Sequence, residues 1–306
     1  MALSALQNVV TQAGKVILGK ERQIKLALSC LLARGHLLIE DLPGVGKTTL
    51  AHVLARLLGL NFHRIQFTSD MLPADIIGVS VYDRDMSTFK FHPGPIFSQL
   101  ILADEVNRAT PKTQSALLEA MEEHQVTAEG ETRPLPEPFF VIATQNPSHQ
   151  VGTFPLPESQ LDRFLMRLEL GYPDREAERA LLQGVERRDL IVALGPCLEP
   201  GQLMELQNMV KHIHAAGPLL DYIQAIVEQS RRSPDYANGL SPRAALALLS
   251  SARAWALLEG RDKVLPEDVQ AVLPGIAGHR LRPVHDGVRR SSIDTADGLV
   301  AAVAIP

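Results

Sequence analysis

Hydrophobic positions follow two different patterns along the chain, and the change between them indicates how the chain is organised. Up to about residue 170, short apolar runs alternate with longer segments in which apolar residues recur at helical spacing. The apolar runs are residues 36–40, 62–67, 100–103, 139–144 and 164–170. Short, largely apolar runs of this length are typical of parallel strands buried on both faces. The alternation therefore predicts an α/β fold with a doubly wound, five-stranded parallel sheet.

Segments of helical spacing surround these runs. Residues 2–13 and 20–34 precede the first predicted strand, 47–58 follows it, and 111–123 connects two later strands. A short apolar elbow, Val16–Gly19, joins the first two segments. Helices between consecutive parallel strands are the crossovers that such a sheet requires.

The pattern changes at Gly171–Pro173. From Asp174 onward the apolar positions keep helical spacing, and no convincing strand follows. The predicted helices are 174–188, 200–214, 219–231, 242–259 and 266–277. We therefore expect an α/β domain, residues 1–172, and a second, helical domain, residues 173–306, with a tail from His279 of unassigned structure.

The first predicted strand runs into a loop of small residues within Glu40–Thr49. Small residues let consecutive backbone N–H groups point inward, and the following helix start adds partial positive charge, so this loop suits phosphate. Lys47 would reach the β- and γ-phosphates of a nucleotide, and the Thr48 hydroxyl would ligate Mg²⁺. The strict pattern of such loops has glycine where this chain has Asp41, and a simple glycine-rich turn is the alternative. The candidate nucleotide-binding residues are Val16, Ile17, Gly19, Pro43, Gly44, Val45, Gly46, Lys47, Thr48 and Thr49.

A second motif ends the strand predicted at 100–103. Asp104 follows this apolar run and would hold Mg²⁺ through its water shell, while Glu105 would orient and deprotonate the attacking water. An Asp-Glu pair after apolar residues is common by itself. After a phosphate-binding loop it indicates nucleotide hydrolysis.

Asn146 follows the strand predicted at 139–144. Ligands bind at the carboxyl ends of strands in such sheets, so its amide would fall beside the γ-phosphate and help to position water. A plain turn at Asn146-Pro147 is the structural alternative.

Two arginines are further candidates for the site. Arg163 directly precedes the last predicted strand, and we place it at the carboxyl-end side of the sheet, where it could enter a neighbouring subunit's site as an arginine finger. The alternative is a surface pair with Asp162 of little energetic value. Arg243 follows Ser241-Pro242 at a predicted helix start and could reach the γ-phosphate from a mobile lid.

Composition narrows the function classes. Lys and Arg total 30 against 35 Asp and Glu, a formal charge of −5, which disfavours a nucleic-acid motor because such surfaces usually bring a basic excess. Only two cysteines occur, so a disulfide framework is excluded. No apolar stretch approaches the ~18–20 residues of a membrane helix, and no secretory signal is visible. We expect a cytoplasmic protein without membrane insertion.

Other polar residues are interpreted as structural. His36 has no spacing suited to a metal and is expected to be a neutral core or surface histidine. The arginines of the tail are expected to form a solvated cluster: Arg280, Arg282, Arg289 and Arg290.

As a set, these motifs resemble the MoxR family of AAA+ ATPases over about residues 15–280. The segments that carry the resemblance are EDLPGVGKTT (40–49), QFTSDMLPADIIG (66–78), FHPGPIF (91–97), ADEVNRA (103–109), QSALLEAMEE (114–123), ATQNP (143–147) and LPESQLDRF (156–164). Asp at position 41 is a familiar variant in that family.

The resemblance implies an AAA+ core followed by a helical lid, with ATP and Mg²⁺ as cofactors. It assigns Lys47, Thr48, Asp104 and Glu105 to the Walker A and B roles, Asn146 to sensor 1, Arg163 to the arginine finger and Arg243 to sensor 2. It also implies an insertion at about 71–97 and a hairpin at about 125–138. Family members typically form hexameric rings and act in a chaperone-like way, often on partners with a von Willebrand factor A domain.

The leading hypothesis is thus an ATP-driven machine that remodels or matures partner proteins as a homo-oligomer. An ATPase subunit of a metal chelatase, inserting Mg²⁺ or Co²⁺ into a tetrapyrrole, is the alternative from the same clade. A nucleotide-gated binding scaffold without turnover is the non-enzyme alternative. Neither the client nor the ring size follows from the sequence.

Overall fold

The strands and helices are those of a computed structural model, which describes residues 2–146, 152–184, 186–284 and 291–305. The strands are β1 (Leu37–Glu40), β2 (Phe62–Gln66), β3 (Gly78–Asp83), β4 (Thr88–Pro93), β5 (Leu100–Asp104), β6 (Gln125–Ala128), β7 (Glu131–Pro134), β8 (Phe140–Gln145) and β9 (Met166–Leu168). The helices up to the last strand are α1 (Ala2–Val16), α2 (Glu21–Leu32), α3 (Lys47–Leu57), α4 (Pro73–Ile77), α5 (Pro111–Glu123) and α6 (Glu158–Leu161). The later helices are α7 (Arg175–Gln183), α8 (Arg187–Ala193), α9 (Pro200–His212), α10 (Gly217–Arg232), α11 (Pro242–Leu258), α12 (Pro266–Ala277) and α13 (Ser292–Ala301).

The predicted five-stranded parallel sheet is confirmed, with the strand order β2-β5-β8-β1-β9. Every neighbouring pair in it is parallel, so the carboxyl ends of all its strands lie at one edge. The central strands β5 and β8 are buried almost throughout, as their apolar runs predict. Strand β2 differs from the prediction, because it is the sheet's outer strand and only Ile65 of its residues is buried.

The two faces of the sheet pack against different groups of helices. Leu37 and Ile39 of β1 point to one face, where a hydrophobic cluster joins α1, α2 and α3 to the later helices α9–α13. Leu38 points to the other face, where α4 and α5 supply the apolar contacts. The later helices therefore share a continuous core with the sheet.

Two hairpins lie outside the central sheet. The segment expected to be an insertion, 71–97, contains α4 and the antiparallel pair β3–β4. The segment 125–138 contains the antiparallel pair β6–β7, which turns at Glu129 and Gly130 with φ angles of 55° and 83°. Positive φ costs glycine little, which suits Gly130 to this turn.

The helical part differs from the prediction in two places. The helix expected at 174–188 is wrong in extent, since α7 ends at Gln183 and a separate helix, α8, begins at Arg187. Gly184 follows α7 in an extended conformation and ends the helix there. The tail, to which no structure was assigned, contains α13, which packs against α12 and α10. Among the residues that the structure describes, no helix has the length and apolar character of a membrane span.

Arg280 corrects the prediction of a solvated arginine cluster in the tail. Its side chain is only 6% exposed and its Nε donates to Asp162 Oδ1 over 2.7 Å. Further N–H groups donate to the carbonyls of Phe164 (2.8 Å) and Leu165 (3.1 Å), which supplies the partners that a buried guanidinium needs. Arg282 is exposed and pairs with Glu158, while the other two arginines lie outside the described residues.

His36 is a buried histidine, in agreement with the predicted neutral core or surface histidine. Its Nδ1 accepts from Val141 N over 3.0 Å, so Nε2 carries the hydrogen and donates to the Met121 carbonyl over 3.1 Å. Burial lowers the pKa of His36 to about 4. Burial also lowers the pKa of His279 well below its usual value.

These histidines predict a loss of stability in mild acid. In the unfolded chain they bind a proton near pH 6.5, whereas in the folded chain His36 stays neutral down to about pH 4, so the unfolded state is favoured as pH falls between these values. For His36 alone the free energy of unfolding should fall by about 3 kcal/mol across this window. His36→Gln keeps a donor and an acceptor but cannot titrate. Urea unfolding from pH 7 to pH 4.5 should show a weaker pH dependence in this variant, and equal dependence in both proteins would contradict the account.

Candidate nucleotide site

The loop between β1 and α3 has the backbone of a phosphate cradle. Gly44 and Gly46 have φ angles of 85° and 98°, a left-handed conformation that favours glycine. A Cβ added at either position would meet no described atom within 4 Å, so there is open space beside the loop. Gly46 is the N-cap of α3, and no side chain caps the first N–H groups of this helix. Such a loop can bind an anionic phosphate.

Lys47, the first residue of α3, lies at the centre of the site. Its Nζ donates to Asn146 Oδ1 over 2.9 Å and to the Asp41 carbonyl over 2.6 Å. The residue is 8% exposed, and burial lowers the pKa of its ammonium group, an effect that Asp41, Asp104 and other nearby carboxylates oppose. The charge needed for phosphate binding is thus held beside the loop.

Asp41 replaces the usual glycine for a structural reason. Its Oδ2 accepts from the backbone N–H groups of Leu170 (2.7 Å) and Gly171 (2.6 Å), and Oδ1 accepts from Leu42 N (2.7 Å). The carboxylate therefore ties the phosphate loop to the segment where the helical part begins. The sequence shows the departure from the motif, but a contact across 129 residues has no local signal.

Asp104 and Glu105 follow β5 at the carboxyl edge of the sheet. The Thr144 hydroxyl donates to Asp104 Oδ1 over 2.5 Å and accepts from Glu105 N over 2.9 Å, which locks the two residues to β8. Glu105 has a φ of 56°, an unfavourable value for a residue with a side chain, and such strain is most often kept at functional sites. Its carboxylate contacts Arg108 (3.1 Å) and Gln66 (3.2 Å).

Asn146 joins the two halves of the site. Its Oδ1 accepts from Lys47, and its Nδ2 donates to Glu105 Oε1 over 3.2 Å. The Asn107 amide in turn donates to the Asn146 carbonyl over 3.3 Å. The structure therefore brings Lys47, Glu105 and Asn146 together, as expected for side chains at the carboxyl ends of neighbouring parallel strands.

Thr48 and Thr49 lie in the first turn of α3, both half-buried, behind the exposed residues Pro43 and Gly44. Val45 packs partly buried against the main hydrophobic cluster. The roles of these five residues as phosphate or metal ligands stay predictions.

The elbow after α1 lies beside the start of the helical part. Val16 and Ile17 are buried in the main hydrophobic cluster, and a Cβ added at Gly19 would come within 3.2 Å of Ala177. Lys20 Nζ donates to the Tyr172 carbonyl over 2.7 Å. The elbow thus borders the connection between the sheet and the helical part, and its contact with a nucleotide stays a prediction.

Arg163 and Arg243 lie at the other end of the sheet, and this corrects the expected position of Arg163. Leu165 N donates to the His36 carbonyl at the start of β1, so the segment before β9 lies at the amino ends of the parallel strands. The strand β1 separates this position from the phosphate loop by four residues, about 13 Å. The physical reason is simple, because a residue that precedes a parallel strand must lie at its amino end.

The two arginines line one cleft of about 470 Å³. Arg243 Nη2 contacts Glu122 Oε1 over 2.5 Å, and its Nη1 lies 3.9 Å from Asp162 Oδ2. Arg163 is half-buried next to Asp162, whose carboxylate pairs with Arg280 rather than with Arg163. The cleft also contains Arg34, Arg253 and Arg280, so positive charge dominates it. Neither Arg163 nor Arg243 can contact the phosphate loop of its own chain in this arrangement.

Several site residues have no clear signal in the sequence. Gln66 and Arg64 lie on the outer strand β2, and Thr144 is a polar residue within an apolar run. Their roles depend on which strands are neighbours, and pairing β2 with β5 and β5 with β8 places them beside Asp104 and Glu105.

The fold and the site together define a class of protein. A five-stranded parallel sheet, a glycine-rich phosphate loop after β1, an Asp-Glu pair at the end of β5 and a helical part are the features of an AAA+ nucleoside triphosphatase. Comparisons with known proteins agree. Residues 36–166 match the ATPase family associated with various cellular activities (AAA), and residues 228–297 match the AAA lid domain.

The chain belongs to the MoxR family of AAA+ ATPases. It is 38% identical to the chaperone MoxR1 of Mycobacterium tuberculosis, covering 92% of this chain and 77% of that protein. It is 33% identical to the protein MoxR of Methylorubrum extorquens, over 92% of this chain and 89% of that one. The uncharacterized protein YeaC of Bacillus subtilis is 46% identical over 90% of this chain and 86% of its own length. A crystal structure from Cytophaga hutchinsonii, described as that of a candidate ATPase, aligns with a TM-score of 0.90 at 37% identity, covering 100% of this chain and 96% of that chain.

Proposed function

We propose that this protein hydrolyses ATP to ADP and phosphate within a homo-oligomeric ring, and uses that reaction to remodel or mature partner proteins. The observation that carries the proposal is the position of Asn146, which contacts both Lys47 and Glu105. A phosphate-binding cation and a carboxylate base are thereby held on either side of the place where a γ-phosphate would lie.

The chain's own residues divide the chemistry. The N–H groups of the loop and the Lys47 ammonium bind the phosphate oxygens and offset their charge. Glu105 accepts a proton from the attacking water while the water oxygen bonds to the γ-phosphorus and ADP leaves. Asn146 holds Glu105 and Lys47 at a fixed separation and can bind the same water.

The donor set fits Mg²⁺. A hydroxyl (Thr48) and a carboxylate (Asp104) are hard oxygen ligands, and the remaining coordination positions of Mg²⁺ are normally filled by phosphate oxygens and water. Among the described residues no group of three or more His, Cys, Asp or Glu side chains could hold a metal. When bound, Mg²⁺ supplies charge neutralisation at the β- and γ-phosphate oxygens.

The arginine cleft supports action between subunits. Since Arg163 and Arg243 lie at the sheet edge opposite the phosphate loop, they can serve a nucleotide only if another subunit presents it. We propose that both act in trans, Arg163 as the arginine finger and Arg243 as the sensor 2 residue. Head-to-tail contacts of this kind close into rings, and we propose a hexamer.

The helical part is proposed to be a lid, residues 173–306, that moves relative to the core of residues 1–172. Asp41 and Lys20 contact the connecting segment at Leu170–Tyr172, so the phosphate loop and the elbow are both coupled to the lid's position. This coupling would pass the motion of hydrolysis to a bound protein.

A protein client is supported by the name of the relative chaperone MoxR1 and by an exposed apolar surface on the β3–β4 hairpin. Tyr82, Met86 and Phe89 are between 50% and 73% exposed there, and several exposed apolar side chains on one hairpin are typical of an interaction surface. We propose a client with a von Willebrand factor A domain, as the family resemblance implies.

Assembly provides the test of this proposal. If the site spans two subunits, a nucleotide stabilises whichever state presents both halves, so a non-hydrolysable ATP analogue with Mg²⁺ should shift the protein toward the ring in sedimentation velocity. Phosphate release should rise with the fraction assembled. A monomer under both conditions, at concentrations well above those of the ATPase assay, would contradict the ring.

A further inference from the structure

Arg64 occupies the carboxylate that the proposed function assigns to the metal. From the outer strand β2 its Nε and Nη2 reach Asp104 Oδ2 over 3.1 Å and 2.6 Å. The other oxygen, Asp104 Oδ1, accepts from the Thr144 hydroxyl. Both oxygens of Asp104 are therefore engaged in this conformation, one of them by a cation.

A guanidinium and a hydrated Mg²⁺ compete for the same oxygen. Mg²⁺ requires near-octahedral oxygen ligands, and Asp104 can serve it only by offering an oxygen to the ion or to one of its waters. Two cations at one carboxylate oxygen also repel each other. Arg64 must therefore leave Oδ2 before that oxygen can take part in metal binding, because the guanidinium uses both of its acceptor positions.

Movement of Arg64 away from Asp104 also affects Glu105, the proposed catalytic base. Arg64 Nη2 donates to Gln66 Oε1 over 2.8 Å, and Gln66 Nε2 donates to Glu105 Oε2 over 3.2 Å. When the guanidinium moves away, the Gln66 amide loses the partner that fixes its orientation. Glu105 is then held less tightly in the position seen here.

The exposure of the two partners makes such a movement feasible. The Arg64 side chain is 47% exposed, whereas that of Asp104 is 10% exposed. Arg64 can swing toward solvent, where water hydrates its charge, and the buried Asp104 carboxylate then keeps its bond from Thr144 and is open to Mg²⁺. Asp104 is thus held in place, whereas Arg64 can move away from it.

We propose that Arg64 is a positioning residue that competes with Mg²⁺ for Asp104, so that it weakens metal binding and couples metal arrival to the release of Glu105. This inference rests on the proposed function, because it concerns the metal of the same ATP site. Substituting Arg64 should therefore change Mg²⁺ affinity in the direction opposite to that expected for a residue that merely supports Asp104. Removing a competitor tightens metal binding, and removing a support weakens it.

The test is a Mg²⁺ titration of nucleotide binding, which needs no turnover. A fluorescent N-methylanthraniloyl ADP is bound to the full chain at increasing Mg²⁺, and the midpoint of the Mg²⁺-dependent increase in affinity is recorded. Arg64→Gln should lower this midpoint about 3–10-fold. Arg64→Lys, which keeps the charge without the planar fork, should fall between wild type and Arg64→Gln.

Arg108→Gln is the matched control, because Arg108 is 50% exposed and contacts Glu105 in the same site but not Asp104. Its Mg²⁺ midpoint should stay within about twofold of wild type. If the Mg²⁺ midpoint is unchanged or raised in both Arg64 variants while nucleotide binding in EDTA stays normal, the proposed role of Arg64 is wrong. The proposed function is not affected by that result. If the wild-type chain binds no nucleotide at any Mg²⁺ concentration, the proposed function fails and this inference fails with it.

Discussion

Arg163→Ala is expected to lower ATP turnover by about 10³–10⁵-fold and to leave ATP affinity nearly unchanged. Arg163 lies at the amino ends of the strands, and Lys47 lies at the opposite edge of the same sheet. Its guanidinium therefore contributes nothing to the ground-state contacts of its own chain's nucleotide. Its contribution would be to offset charge on a neighbour's γ-phosphate as that phosphate is transferred.

The measurement is steady-state phosphate release together with equilibrium ATP binding, both at concentrations where the ring is formed. Arg179→Ala is the control, since Arg179 is an exposed arginine on α7, away from the cleft. A fall in turnover of less than about tenfold would remove Arg163 from the finger role. Sedimentation of the variant separates a lost finger from a lost ring.

Glu105→Gln is expected to reduce turnover by about 10²-fold or more while ATP still binds. The amide keeps the length and shape of the side chain and can still accept from Asn146 through Oε1. It cannot take a proton from water. ATP binding measured beside single-turnover hydrolysis should show the binding retained and the chemical step lost.

Lys47→Ala provides the contrasting result, because removing the ammonium should weaken ATP binding itself. For Glu105→Gln the control is Glu119→Gln, which removes one negative charge at an exposed position on α5. Wild-type turnover in Glu105→Gln would show that another group takes the proton.

The central fold could be predicted because its strands are buried and connected in a simple order. Strands β5 and β8 each begin with an unbroken apolar run, and the crossover helix α5 has its predicted bounds. The outer strand β2 was the exception, since an outer strand exposes one side and its sequence is mixed. The break between α7 and α8 was missed because helical spacing on both sides of Gly184 masks a short interruption.

The site could be predicted where chemistry lies in a contiguous motif. The loop at Lys47 and the pair Asp104–Glu105 are local, and their meeting with Asn146 follows from parallel strands ending at one edge. What the sequence could not supply were contacts that depend on distant pairing, such as those of Asp41, Arg64 and Arg280. The error in placing Arg163 was of a different kind. A residue that directly precedes a parallel strand lies at the amino end of that strand, so the sequence already contained the correct position.

One measurement tests the central claim, a nucleotide site completed by two subunits, most directly. Lys47→Ala and Arg163→Ala, each expected to be inactive alone, are mixed in equal amounts under conditions where subunit exchange is confirmed by a label. In a randomly mixed head-to-tail ring, about one quarter of the interfaces join an intact phosphate loop to an intact Arg163, so a comparable share of activity should return. Recovery with Arg243→Ala but not with Arg163→Ala would exchange the roles of the two arginines. No recovery with either, despite confirmed exchange, would contradict a site shared between subunits.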